Sequence, residues 1–118
     1  MAKTNDRKAV QNAASRENAD RRAELDSVRF LMSTPLGRSL AARLLDQCGI
    51  DRRTPFQPNA MVLAHDHGVQ ELGYFLQEEI REACPELELV MRQESLVRAK
   101  RADLTEEVEN GQRTESDE

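Results

Sequence analysis

Apolar residues recur along much of the chain at steps of three and four, the period of an amphipathic helix. Leu25, Val28, Leu31 and Met32, with Phe30 beside them, predict a helix from about Ala19 to Met32, which can begin earlier in the polar stretch before it. Ser33-Thr34-Pro35 supplies capping hydroxyls and then a proline suited to a first helical turn, ending one helix and starting the next. Leu36, Leu40, Ala41, Leu44, Leu45 and Cys48 give the second helix, Pro35 to about Cys48, one apolar side, while Arg38, Arg43 and Asp46 fall mostly toward solvent. Gly49 suits the left-handed C-cap that ends it, with Ile50 folding back onto the helix.

Asp51 to Pro58 reads as a proline-punctuated loop that Phe56 pins to the core. Asn59 is a good N-cap for a long third helix, Ala60 to about Ala83, with Met61, Leu63, Ala64, Leu72, Phe75, Leu76 and Ile80 on its apolar side. Gly68 and Gly73 each cost about 1 kcal/mol of helix propensity, so another backbone is expected to pack close there or the helix to bend. Pro85 starts a last helix to about Lys100, with Leu87, Val90, Met91 and Leu96 on one side. The pattern predicts an all-α fold, a compact bundle of three or four helices over residues 19–100. A polar N-terminal arm (1–18) and a tail (101–118) flank it; there is no internal repeat and no sustained heptad seam.

Composition narrows this picture. Charged residues are 33% of the chain and aromatics 3%, a balance that favours solvated helices over a large interior. About 75 ordered residues form a thin core, so self-association as a homo-oligomer or docking onto a larger partner is expected. No run reaches the roughly 18 to 20 apolar residues that span a bilayer, and the N-terminus lacks a secretory signal, so the protein is expected to stay inside the cell that makes it. Cys48 and Cys84 lie far apart in sequence, and buried thiols are the simple reading, a disulfide the alternative.

The net charge of −5 is unevenly placed. Residues 1–24 carry +2 and residues 102–118 carry −6, where Leu104 and Val108 are the only large apolar side chains. Such a tail is expected to be disordered or transiently helical, and to meet a basic partner surface or simply keep the chain soluble. The mixed arm, with no aromatic, is a weak footprint for nucleic acid.

The chemistry-bearing motifs are few. His65-Asp66-His67 holds the only histidines, but residues two apart on a helix point about 200° away from each other, so the pair cannot chelate one metal ion. Glu71, Glu78 and Glu79 are the carboxylates of a polar helix face. There is no phosphate-binding glycine loop and no nucleophile elbow, so no catalytic, cofactor or metal site is expected, and no enzyme. The candidate partner-binding residues are Arg52 and Arg53 beside Phe56, a guanidinium pair able to grip carboxylates or phosphates, together with Arg38 on the second helix.

Phe30-Leu31-Met32, Thr34-Pro35-Leu36-Gly37-Arg38, Leu44-Leu45, Gly49-Ile50, Phe56, Asn59-Ala60, Gly68, Gly73, Pro85-Glu86-Leu87, Met91 and Glu94 together resemble a family of small tailed-phage proteins named after a Bordetella phage reading frame. The resemblance covers about residues 26–95 and departs from the family pattern at His65-Asp66-His67. It implies a phage protein encoded in the head-morphogenesis region, in the host bacterial cytoplasm or the virion. The implied role is head assembly or a minor virion component, with portal, scaffold or capsid as partner. The alternatives are a host-directed regulator that binds a host protein and, more remotely, a nucleic-acid-binding module.

Overall fold

Two linkers, Ser33-Thr34 and the single residue Cys84, set most of the architecture by forcing sharp turns between long helices. The computed structural model describes residues 2–116, and the side chains of residues 5–113. It contains four helices: α1 (Ala2–Met32), α2 (Pro35–Cys48), α3 (Ala60–Ala83) and α4 (Pro85–Ser116). No strand occurs among the described residues.

The helix ends form where local chemistry places them. Thr34 is extended, and its hydroxyl accepts the Gly37 N–H at 3.1 Å, with Pro35 next in the first turn. Gly49 takes the left-handed φ of 67°. Asn59 Oδ1 accepts from the Met61 and Val62 N–H groups at 2.9 and 3.3 Å.

Beside each consecutive pair, α1 packs on α3 and α2 packs on α4. Met32, Ala41, Leu45, Ile50, Ile80, Ala83, Cys84 and Met91 form the buried core, with Leu25, Val28, Leu31, Leu76 and Leu87 against it. Both cysteines are free thiols, Cys84 buried and Cys48 partly so.

The expected compactness does not hold. The radius of gyration is 22.5 Å, whereas a compact chain of this length has about 13 to 14 Å, and the molecule extends 93 × 41 × 15 Å. Two long helices cause this. Neither Gly nor Pro occurs between Met1 and Met32, so nothing breaks the polar arm out of helix, and α1 begins at Ala2. The tail, expected to be disordered or transiently helical, is helical through Ser116, while Asp117 and Glu118 lie outside the described residues. Each helix is about 46 to 48 Å long at 1.5 Å per residue. The 93 Å extent approaches their sum, so the two extensions leave a small body in opposite directions.

Long-range ion pairs hold this body at its corners. Arg38, expected on the solvent side, is instead only 11% exposed; its Nε donates to Glu94 at 2.7 Å and its Nη1 to the Met32 carbonyl at 2.9 Å. It therefore ties the end of α1 and the start of α2 to α4. Arg29 donates to the Ala83 carbonyl, and Arg21 reaches Glu79 and Glu82 where α1 leaves the body.

Buried Glu88 accepts both Arg81 and Arg92. Burial pushes its carboxyl up, but the hydrogen bonds and charges of the two arginines outweigh burial and hold it below the usual glutamate range. A carboxylate depressed in the folded state contributes stability that is complete above its unfolded value of about 4.3 and is lost as pH falls through the folded pKa. Urea melts taken from about pH 6 to about pH 3 should show stability falling on the acid side. Glu88→Gln should make that fall shallower; an unchanged acid limb would exclude Glu88 as a contributor.

The two glycines of α3 separate. A Cβ at Gly73 would lie 2.5 Å from both Cys48 Cβ and Ile50 Cγ2, so α2 and the start of the following loop approach at that level. At Gly68 a Cβ would meet nothing within 4 Å. Gly68→Ala should therefore raise stability by about 0.4 to 1 kcal/mol, read as a higher Tm. The same change at Gly73 should lower it.

Candidate interaction surface

The arc of apolar residues on α2 is wider than its neighbours cover. Ala41 and Leu45 are buried, but Leu36, Leu40 and Leu44, four residues apart on one flank, are exposed, Leu36 to 84%. On α3, Met61, Leu72 and Phe75 are exposed, although the sequence pattern puts them on the apolar side with Ile80. Phe30 joins them at the end of α1. Four helices, two of them half outside the body, leave too few neighbours to bury both flanks of each arc.

The loop after α2 is fastened by polar contacts, not by Phe56. Gln70 Nε2 donates to the Gly49 and Arg52 carbonyls at 2.9 and 3.0 Å, and its Oε1 accepts the Thr54 hydroxyl at 2.9 Å. Tyr74 Oη donates to the Ile50 carbonyl at 3.3 Å. Phe56, expected to pin the loop, is 87% exposed. The loop thereby presents this ring to solvent from a fixed backbone. In the sequence Gln70 is one polar residue among several on a helix and Tyr74 is the single tyrosine, and neither signals its loop partner.

Beneath the loop lies an open cleft of about 580 Å³, lined in part by Cys48, Arg52, Arg53, His65, Asp66 and Gln70. The structure thus brings the Arg52-Arg53 pair to the level of His65. Arg52 donates to the Asp46 carbonyl at 2.5 Å and caps the end of α2, which leaves Arg53 as the more available guanidinium. His65 Nδ1 lies 3.6 Å from Asp66 Oδ1; His67 does not line this cleft. Among the described residues no group of three or more His, Cys, Asp or Glu side chains is arranged to hold a metal ion. Gln47 lines both this cleft and the shallow groove beside Leu40, Arg43 and Leu44, so the leucine flank and the arginine loop form one continuous surface. Arg38 is not part of it.

Fold and surface together define a small all-helical protein with an open, mixed apolar and basic face. The chain belongs to the Bbp19-like phage protein family, whose model matches residues 28–93, more than half of the chain. That match spans the end of α1, all of α2 and α3, and the part of α4 that lies in the body. It stops short of both extensions. No curated protein and no solved structure matched the chain. No helix among the described residues is long and apolar enough to cross a membrane.

Proposed function

We propose that this chain is a non-enzymatic phage accessory protein that docks its exposed body surface on a phage structural protein, in head assembly or as a minor virion component. The observation that carries the reading is the ratio of buried to exposed apolar side chains. Among the described residues eight make the buried core, while on the body alone Phe30, Leu36, Leu40, Leu44, Phe56, Met61, Leu72 and Phe75 are exposed. Apolar surface on this scale marks a contact face in a soluble protein. Membership of a phage family makes portal, scaffold or capsid the first partner to test, and the mixed apolar and basic face suits a partner with an apolar pocket and an acidic rim.

The test combines mass spectrometry of purified virions with a tagged pull-down from infected cells, using the parent and a Leu40→Asp/Leu44→Asp variant. The expected result is a phage structural protein that co-purifies with the parent and not with the variant, whose Tm stays near that of the parent. Capture of a host factor instead would favour the host-directed reading. Capture that the variant does not weaken would remove the leucine flank from the interface.

A further inference from the structure

Among the described residues no other helix covers α4 beyond Leu96. From Leu96 to Arg113 every residue is exposed, yet Val97, Leu104 and Val108 fall on one stripe of it. That stripe continues into the body with an alternating step of four and three: Val90, Glu94, Val97, Arg101, Leu104, Val108, Gly111. This is the spacing of a two-helix seam, concealed in the sequence because Glu94 and Arg101 occupy two of its positions. Charge is ordered along the same segment, with Arg98, Lys100 and Arg101 first and Glu106, Glu107 and Glu109 after them.

We propose that this segment pairs antiparallel with the same segment of a second copy of the chain. In the register set by the seam, Val97 faces Val108 of the second copy, Arg101 faces Leu104 and Glu94 faces Gly111. Lys100 then lies on the same flank as Glu107 of the second copy, twice by symmetry, and the basic stretch of each copy runs along the acidic stretch of the other. A parallel pairing would set Arg101 against Arg101 and align acidic stretch with acidic stretch, so charge selects the antiparallel arrangement. Arg101 packs its methylenes on Leu104 and keeps its guanidinium in water.

Two further features fit. Gly111 costs about 1 kcal/mol in a helix, and nothing lies within 4 Å of a Cβ placed there. In the pair it is the point where the incoming helix reaches the body, at a groove of about 490 Å³ lined by Pro35, Val90, Gln93, Glu94, Val97 and Arg98. A missing side chain allows close approach at that point. The inference does not depend on the partner proposed for the body surface, because it uses none of the same residues.

With Val97, Leu104 and Val108 as the large apolar side chains of the seam and its ion pairs exposed to solvent, the dimer should dissociate in the micromolar range. Sedimentation equilibrium of the full chain, from about 1 to about 500 µM, is the test. The parent should show a monomer–dimer equilibrium, and Leu104→Glu should be monomeric throughout, with an unchanged body Tm because Leu104 lies outside the core. Lys100→Glu and Glu107→Lys should each weaken the dimer roughly tenfold or more, and the two together should restore it. A parent that stays monomeric over the whole range, a dimer that survives Leu104→Glu, or a double swap that restores nothing would each overturn the proposal.

Discussion

Ile80→Ala should destabilise the protein by about 2 to 5 kcal/mol, a large share of what a body this small has to lose. Ile80 is fully buried on α3, within the cluster that contains Met32, Ala41, Leu45 and Met91, so its side chain joins residues from all four helices. Truncation removes three carbons from water-free contact and leaves a cavity that helices fixed by one- and two-residue linkers cannot close. Thermal or urea unfolding followed by circular dichroism reads the effect. Leu36→Ala, at a position the apolar pattern ranks alongside the core, should stay within about 0.5 kcal/mol because Leu36 is exposed. Equal losses at the two positions would mean that the leucine flank of α2 is covered within the monomer, and the interaction surface would fall with it.

The second large effect is expected at Gly37. A Cβ there would run into the backbone carbonyl of Leu31, and into contact with the Thr34 hydroxyl. A carbonyl inside a helix cannot swing aside as a side chain does, so the α1–α2 corner must open. Opening strains the Thr34 cap and the Arg38 bond to the Met32 carbonyl, both in the same corner. Alanine regains about 1 kcal/mol of helix propensity, but overpacking of this kind typically costs about 1 to 3 kcal/mol and more where backbone must move. Gly37→Ala should therefore lower the Tm, while Gly68→Ala, made in the same background, should raise it. A Gly37→Ala protein as stable as the parent would show that the corner is wider than described.

The contrast among these glycines shows where sequence reading stops. All of Gly37, Gly68 and Gly73 look alike in the sequence, as helical glycines that need a reason. Gly37 and Gly73 have one in a backbone or side chain brought from a different element; Gly68 has none. The candidate site divides in the same way. Arg52 and Arg53 could be picked out as a guanidinium pair on a loop, and the structure sets them beside His65, whereas Phe56, expected to pin that loop to the core, is exposed. Arg38 could not be separated from them, because its partner Glu94 lies 56 residues away and on another helix.

What the sequence determined by itself is the list of elements and their ends. Thr34-Pro35, Gly49, Asn59 and Pro85 act through neighbours within a turn, so capping and proline geometry place the boundaries of α2 and α3 without reference to the rest of the chain. Tertiary structure alone decided which part of each apolar arc is covered. Periodicity marks an arc on a helix, but coverage depends on how many neighbours reach it. Here two helices spend half their length outside the body, so Leu36, Leu40, Leu44 and Phe75 remain in solvent while Ile80 and Leu45 do not. The same cause turns an expected compact bundle into an elongated molecule, because α1 and the extension of α4, with no proline after the first turn to break them, stay helical beyond the point where there is anything left to pack against.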